Sequence, residues 1–334
     1  MNYCLTLLKL IILFLIIFSY KLLIKDNFKN SLTDNYIFSK IILDNKLILI
    51  FPVYNKEIKL EEFQIHLNNY NINLIKEIKK IEEEPIHIFI YNINKKLNTS
   101  DIVTGTFNYN NSIENFNIYP IFTNKKYKLA ITTLFKDDYE LFPIFYDYYS
   151  KQGVSLFIMY YNGISNSHIK DIFNKKNVIL IDWNYRYWNP KNIKYNHHAQ
   201  VGQIYDSLYK YAKPLTEYII YCDLDEYLYI PNKTILKYIE NNNYLDVIEF
   251  NNYFASTLDN KIPQKIPNKI KIGEKHNYKT RSKNIYKSSS IDSINIHYPH
   301  KFNKIPFKSR DNMMFHFQSW SNRHEKLNNI FDLQ

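Results

Sequence analysis

Tyr218-Ile-Ile-Tyr-Cys-Asp-Leu-Asp-Glu-Tyr-Leu-Tyr-Ile-Pro231 is the stretch that decides the fold, because an apolar run typical of a buried strand ends there in three carboxylates. These carboxylates belong to Asp223, Asp225 and Glu226. Alternate residues of an extended segment point to the same side, so Asp223 and Asp225 can share one divalent cation or its bound phosphate. Hard oxygen ligands suit Mg²⁺ or Mn²⁺ that bridges a diphosphate. A strand that runs into an acidic turn is the alternative, and the surrounding pattern decides between the two.

The chain from about residue 126 alternates strands with helices. The predicted strands are Lys128–Phe135, Val154–Tyr161, Val178–Trp183, Glu217–Cys222 and Val247–Phe250. The predicted helices are Asp138–Lys151, Ile169–Asn174, His198–Ala212 and Thr234–Glu240. This alternation predicts an α/β domain over residues 126–334, with a mostly parallel, doubly wound sheet. Ligands bind such sheets at the carboxyl ends of the strands, where the acidic turn falls, and the pattern therefore favours a metal site.

Residues 26–125 show a different pattern. Short apolar or alternating runs occur at Lys46–Val53, Ile86–Tyr91 and Ile118–Phe122, and one charged segment, Ile72–Glu84, has a helical pattern. We expect a small strand-rich or α+β module, or a stem, in this part of the chain.

The first 25 residues carry an almost wholly apolar run from Leu5 to Ile24. Its length is close to that needed to cross a bilayer when flanking lysines reach the surface. We therefore expect an uncleaved signal anchor and a single-pass membrane protein; a cleaved signal peptide is the alternative, although no small-residue cleavage pattern follows. Lys21, Lys25 and Lys29 follow the run, and the positive-inside tendency alone would place the rest of the chain in the cytosol.

Composition limits the possible functions. The 334 residues are 46% hydrophobic and 17% aromatic, which is ample for a packed core and argues against disorder. The net charge is +11, but the lysines are scattered without a dense block, so we predict no nucleic-acid partner. The two cysteines, Cys4 and Cys222, exclude a disulfide framework and a cysteine-based zinc site.

Several motifs, in order and with plausible spacing, resemble one known family. Up to the acidic turn they are Lys136-Asp-Asp, Gly153-Val, Tyr160-Tyr-Asn-Gly, Trp183, Gln200 and Asp223-Leu-Asp-Glu-Tyr. After it come Arg281-Ser-Lys-Asn-Ile-Tyr-Lys287, His297, and His316-Phe-Gln-Ser-Trp-Ser followed by Lys326. Together they resemble glycosyltransferase family 92 and related family-2-like transferases, over roughly residues 128–326.

The resemblance implies a Rossmann-like GT-A fold and an inverting, metal-dependent hexosyltransferase in the lumen of the secretory pathway. The donor would be a nucleotide sugar, with a UDP-hexose such as UDP-galactose favoured, and the acceptor a glycan or glycoprotein. Mn²⁺ or Mg²⁺ would be held by Asp225 and Asp223, with His316 or His297 as a further ligand. The residues expected to bind the donor are Asp137, Asp138, Asn162, Gln200, Asp223, Lys283 and Lys287, and Arg281 is a further candidate for the phosphates.

Two departures from the family pattern matter. The usual Asn-Glu pair is Asp137-Asp138 here, and Tyr161 stands where a carboxylate is expected near the nucleotide base. Glu249 and Glu274 are the candidate general bases for an inverting transfer. Two further functions therefore stay open at this point. One is a GT-A-like binding or structural glycoprotein without catalysis, and the other is a metal-dependent nucleotidyl- or phosphotransferase.

Overall fold

The structure analysed is a computed structural model. It describes residues 37–53, 58–80, 85–109, 112–189, 198–275, 281–297, 307–317, 320, 327 and 329–333. The predicted anchor and Lys326 lie outside these ranges. Within them, no helix has both the length and the apolar character needed to cross a membrane.

Seven strands make up the part of the N-terminal module that the structure describes. In chain order, β1 to β7 are Ser39–Leu43, Lys46–Pro52, Phe63–Leu67, Ile72–Lys80, Ile86–Ile93, Val103–Tyr109 and Ser112–Ile118. They form two antiparallel sheets, ordered β1-β2-β5-β4 and β3-β6-β7. The sheets share a core of aromatic and aliphatic side chains, in which the Phe51 ring lies 5.0 Å from Phe63 and 5.8 Å from Phe107.

The helical prediction for Ile72–Glu84 is wrong over residues 72–80, which form strand β4. This strand pairs along its length with β5, from Ile72 opposite Ile93 to Lys80 opposite Ile86. It is the last strand of its sheet, and six of its nine residues are exposed. Charged residues are common on such edge strands, and here their spacing along the sequence resembles that of the polar face of a helix.

The larger domain contains the remaining strands and all four of the helices that we number. Strands β8 to β17 are Tyr127–Phe135, Leu156–Tyr161, Val178–Asp182, Thr216–Tyr221, Glu226–Tyr229, Val247–Ser256, Lys269–Lys275, Lys283–Lys287, Phe307–His316 and Asn329–Asp332. Helices α1 to α4 are Phe142–Lys151, Ser167–Ile172, Ala199–Ser207 and Ile235–Asn241. Helix α3 continues as a π-helical turn, Leu208–Ala212, and a short helical turn, Lys213–Leu215.

All ten strands belong to one mixed sheet. Its main order is β10-β9-β8-β11-β15-β13-β14-β17, and β16 pairs with both β13 and β12. The first four strands of this order are parallel, as predicted. Beyond β11 the pairs are antiparallel, except for β13 with β16. The expectation of a mostly parallel sheet therefore holds only for the first four strands of this order. Parallel neighbours need a long crossover connection, usually a helix, and from β13 onward the described residues contain no such helix.

Helices cover both faces of the parallel strands. Alternate residues of β8 separate accordingly, with Leu129 and Ile131 in the core beneath α1 and Ala130 in the core beneath α3. At the end of α1, Gly153 has a φ of +93°. A Cβ there would collide with the side chain of Leu236, so the turn into β9 requires glycine.

Helix α3 lies between the large sheet and the N-terminal module. All nine of its residues are buried, because one side packs on the large sheet and the other on β1, β2 and β5. A Cβ on Gly202 would lie 2.7 Å from the ring of Phe38, so glycine allows the module to approach closely. Asp206 accepts hydrogen bonds from Ser39 Oγ at 2.5 Å and from Tyr160 Oη at 2.6 Å, which ties the module to the domain.

The order of the parallel strands creates a crevice. From β8 the chain proceeds outward to β9 and β10, and α3 then returns it to β11 on the other side of β8. The connections after β8 and β11 therefore diverge from adjacent strand ends. Such a topological switch point is where open α/β sheets bind ligands.

Candidate functional site

A cavity of about 640 Å³ opens at the carboxyl ends of β8 and β11. The residues that line it come from these strand ends, from α3, and from the antiparallel part of the sheet. They are Leu134, Phe135, Lys136, Asp138, Asn162, Tyr187, Gln200, Asp223, Asp225, Glu226, Asn252, Arg281, His297 and His316.

Both carboxylate oxygens of Asp223 have partners within the protein. Gln200 Nε2 donates to Oδ1 at 3.2 Å, and Lys283 Nζ donates to Oδ2 at 3.0 Å. Burial acts to raise the pKa of Asp223, but Lys283 outweighs it and holds that pKa below its usual range. The Asp223 carboxylate at the cavity wall is thus ionised and paired with Lys283. This pairing reduces its contribution to a cation site.

Lys283 lies beneath the cavity. Strand β15 pairs with β11, with Asn284 opposite Tyr221, and this register places Lys283 beside the end of β11. Its side chain is 2% exposed, and Nζ lies 3.0 Å from both Asp223 Oδ2 and Glu226 Oε2. Burial acts to lower the pKa of Lys283, but the two carboxylates raise it well above its usual range. The lysine therefore stays charged and balances the acidic turn from below, and it does not line the cavity.

Glu226 closes the acidic turn. Its Oε2 accepts the backbone N–H of Asp223 at 2.8 Å, and its side chain is 3% exposed. Burial raises the pKa of the Glu226 carboxyl, against the opposing effect of Lys283. Tyr149 Oη fixes the following strand, since it donates to Glu226 O at 2.9 Å and accepts from Leu228 N at 3.0 Å.

Asp225 and His316 meet at the cavity. His316 Nε2 lies 3.2 Å from Asp225 Oδ2, and His316 stands opposite Glu226 in the pairing of β12 with β16. The backbone N–H of Phe317 donates to Asp225 O at 2.9 Å, which fixes the two segments to each other. Burial acts to lower the pKa of His316, but Asp225 and the neighbouring carboxylates raise it overall.

The donor chemistry of this pair fits a partly substrate-held cation. Within the described ranges, no three or more His, Cys, Asp or Glu side chains form a group that could hold a metal ion. Asp225 and His316 offer one carboxylate and one imidazole toward the cavity, while the oxygens of Asp223 are bonded to Lys283 and Gln200. Mg²⁺ is commonly bound by one or two carboxylates together with substrate phosphates and water, so two protein ligands suffice for such a site.

Asp138 lies at the other side of the cavity. Its side chain is exposed toward the opening, but the surrounding cavity wall desolvates the carboxyl and raises its pKa to about 6. The backbone N–H of Lys136 donates to Oδ1 at 3.1 Å and opposes this shift, whereas Asp225 and Asp223 add to it. Asp138 therefore titrates close to neutral pH.

The remaining predicted residues differ in position. Asn162 lines the cavity, but its Nδ2 donates hydrogen bonds to Trp183 O at 3.0 Å and to Tyr185 O at 2.7 Å. His297 lines the cavity, and Asp137 is exposed outside it. Tyr161, at the end of β9, has a raised pKa because of burial and the nearby Asp137.

Besides Lys283 and Asp137, three further predicted residues are not brought to the cavity. Lys287 lies at the opposite end of β15 from Lys283, and its Nζ donates to Asn243 O at 3.1 Å. Glu274 is exposed on β14. Glu249 lies on β13 opposite Asn284 of β15. Neither glutamate lines the cavity, so the geometry gives no support to either as the general base.

The sequence prediction missed several residues that line the cavity. Lys136 and Tyr187 belong to them, and so does Asn252 on β13. Asn252 had a signal in the sequence, because Phe250-Asn-Asn-Tyr-Phe254 places two amides inside an otherwise apolar strand. Buried polar residues of this kind need hydrogen-bond partners and therefore indicate a structural or functional requirement.

Comparisons with known proteins identify the family of the chain. No curated protein shows significant similarity to the chain. Among solved structures, amylomaltase from Corynebacterium glutamicum is 9% identical with a TM-score of 0.18, over 42% of this chain and 22% of that one. The chain thus spans about a fifth of that protein's length. The sequence model of glycosyltransferase family 92 matches residues 125–333. This match contains the parallel strands, the acidic turn, Lys283 and His316, and the chain therefore belongs to glycosyltransferase family 92.

Proposed function

We propose that this glycosyltransferase transfers a hexosyl group from a UDP-hexose to a hydroxyl group of a glycan or glycoprotein, with Mn²⁺ or Mg²⁺ as cofactor. The observation that carries the proposal is the pair Asp225 and His316, which faces the cavity at the switch point between β8 and β11. UDP-galactose is the donor that the family resemblance favours.

The transfer breaks the bond between the anomeric carbon and the diphosphate oxygen, and the diphosphate leaves with the electron pair. The acceptor oxygen forms the new bond to that carbon, with inversion at the anomeric centre, and its proton passes to the solvent in the open cavity. A divalent cation held by Asp225 and His316 would neutralise the charge that develops on the leaving diphosphate.

The chain's own residues bind and orient the donor. Arg281 lies 5.5 Å over the ring of Phe254 and lines the cavity, so its guanidinium is placed to bind the diphosphate. Lys136 adds a second cation at the cavity wall. Asp138 and Asp223 provide acceptors for ribose hydroxyl or base N–H groups on the β8 side. Lys283 contributes from below by offsetting part of the negative charge of the acidic turn.

The test is a thermal-shift and product analysis of the full chain with a panel of nucleotide sugars, with and without Mn²⁺. We expect a UDP-hexose to raise the unfolding temperature in the presence of Mn²⁺, since a ligand that binds the folded state stabilises it. Mass analysis of the acceptor should show an added hexose and no added phosphate. Addition of phosphate or a nucleotide would instead identify a nucleotidyl- or phosphotransferase.

A second candidate function is nucleotide-sugar binding without transfer. The observation in its favour is that neither Glu249 nor Glu274 lines the cavity, so no general base is located among the predicted residues. Binding of the donor with Mn²⁺, without hydrolysis or transfer to any acceptor of a glycan panel, would favour this candidate.

We further propose that residues 1–25 anchor the protein and that residues 26–334 lie in the lumen of the secretory pathway. Asn98-Thr-Ser and Asn232-Lys-Thr are glycosylation sequons whose asparagines are exposed. An N-glycan on Asn98, removable by a glycosidase and absent in Asn98→Gln, is the expected result. An unmodified, protease-accessible chain in sealed membrane vesicles would place it in the cytosol.

A further inference from the structure

Asn252 is a buried amide in the wall of the cavity. It lies on β13 and is 2% exposed, and neither Oδ1 nor Nδ2 has a hydrogen-bond partner among the described residues. Its neighbour Asn251 is also buried, but the Nδ2 of Asn251 donates to Ser309 O at 2.9 Å and Asn312 O at 3.1 Å. Asn251 thus holds β13 to β16, whereas the Asn252 amide faces the cavity without a structural bond.

An unpaired buried amide destabilises the folded protein, because it loses its bonds to water and gains none. A leucine or phenylalanine at this position would continue the apolar pattern of Ile248 and Phe250, which both lie in the core. The presence of a buried amide with a free donor and a free acceptor therefore points to a ligand that supplies both partners. A sugar hydroxyl group does this, since it both donates and accepts.

The location of Asn252 fits the sugar part of a donor. In the pairing of β13 with β16, Asn252 stands opposite Met314, and Phe254 stands opposite His316. Asn252 is thus two residues along the strand from the level of His316, a rise of about 7 Å. That separation is comparable to one sugar ring joined to a diphosphate at the cation pair. Asp138, on the β8 side, lies away from β13, because β11 and β15 stand between those strands.

We infer that Asn252 binds a hydroxyl group of the hexose that is transferred and thereby selects the donor sugar. The inference rests on the proposed function, since it requires a nucleotide-sugar donor in this cavity. It assigns the two ends of the donor to different walls, with the nucleotide near β8 and β11 and the hexose near β13.

The test measures binding of UDP, UDP-galactose and the four monodeoxy analogues of UDP-galactose, at positions 2, 3, 4 and 6, to the full chain with Mn²⁺. We expect Asn252→Ala to bind UDP within about twofold of the wild type and UDP-galactose at least about tenfold more weakly, a loss typical of one hydrogen bond in a buried site. One deoxy analogue should bind weakly to the wild type and suffer no further loss in Asn252→Ala, because residue and hydroxyl form a single interaction. The same comparison is repeated with UDP-glucose if UDP-galactose does not bind.

Asn251→Ala is the matched control. It removes the neighbouring buried amide, so it should lower the unfolding temperature and leave the ratio of UDP to UDP-hexose affinity unchanged. In addition, Asn252→Leu without ligand should unfold at a higher temperature than the wild type, because an unpaired amide is replaced by an apolar group.

Unchanged UDP-hexose affinity in Asn252→Ala would overturn the inference and leave the proposed function intact. If every deoxy analogue lost the same affinity in the wild type and in Asn252→Ala, the inference would also be overturned and the proposed function would stand. A lower unfolding temperature for Asn252→Leu would show that the amide serves the fold and would also overturn it. Failure of the wild type to bind UDP or any UDP-hexose would overturn the proposed function, and the inference with it.

Discussion

Lys283 Nζ lies 3.0 Å from Asp223 Oδ2, so the first carboxylate of the Asp-x-Asp pattern is neutralised by the protein itself. The second carboxylate, Asp225, faces His316 instead. The two acids of one short motif therefore have different surroundings, and we expect different roles for them.

Substitution of the two acids should give different results. Asp225→Asn should lower transfer activity at least about a hundredfold, an effect of about 2.7 kcal/mol on the barrier, because it removes a carboxylate from the cation pair. Asp223→Asn should weaken donor binding while activity still responds to added Mn²⁺. Steady-state rates over a Mn²⁺ titration make the comparison, and the same loss of Mn²⁺ response in both variants would contradict it.

Lys283→Met should destabilise the protein by about 3–5 kcal/mol, because it leaves the buried Glu226 carboxylate and the partly exposed Asp223 carboxylate without their cation. The methionine keeps the apolar stem, so the effect reports the charge. Urea unfolding measures it. Addition of Glu226→Gln should recover part of the loss, since that change removes one of the unpaired acids.

The control for this experiment is Lys151→Met. Lys151 forms an exposed ion pair with Asp147 at 2.7 Å. Its loss should cost less than about 1 kcal/mol, because exposed pairs contribute little. Equal effects of Lys151→Met and Lys283→Met would show that the buried position of Lys283 is unimportant.

Asp138→Asn should stabilise the protein without metal at pH 8 and have no stabilising effect below about pH 4. The folded-state pKa of Asp138 is raised to about 6 from 3.8, so wild-type stability falls as pH rises through about 6 and this carboxyl ionises in the cavity. The gain at pH 8 should be at most about 1 kcal/mol, because solvent screens the exposed carboxyl. Thermal unfolding with a chelator, between pH 4 and 8, measures it; a less stable variant at pH 8 would contradict the expectation.

Arg281→Ala and Lys287→Ala form a matched pair of cation deletions. Arg281 lines the cavity, whereas Lys287 donates to Asn243 O at the far end of β15. Arg281→Ala should raise the KM for the donor about tenfold, the equivalent of about 1.4 kcal/mol. Lys287→Ala should change the KM less than about twofold. A larger effect for Lys287 would place the donor elsewhere.

The alternation of apolar strands and helices in the sequence was sufficient to predict the parallel part of the sheet. Apolar strands such as β8, β9 and β11 are short, continuous and separated by helices, so their alternation with helices predicts a parallel sheet, although it does not predict that β11 pairs with β8. The acidic turn could be placed at the ligand edge for the same reason. The family motifs then added His316 and Lys283, although not their surroundings.

Tertiary pairing determined what the sequence could not show. Lys283 is 60 residues from Asp223, and its position below the cavity depends on the register of β15 against β11. The edge strand β4 has a charged pattern that also suits a helix, and its pairing with β5 decides between them. Glu249 and Glu274 are carboxylates in the part of the chain where a general base is expected, but neither lies in the cavity wall.

The enclosure of α3 by two sheets has a consequence for how this protein can be divided. The glycosyltransferase domain is incomplete when cut at its family boundary, since removal of the first seven strands would expose the apolar back of α3 to water. That helix also carries Gln200, which holds Asp223 at the cavity. The N-terminal module and the domain therefore form one folding unit, and the module is more than a spacer.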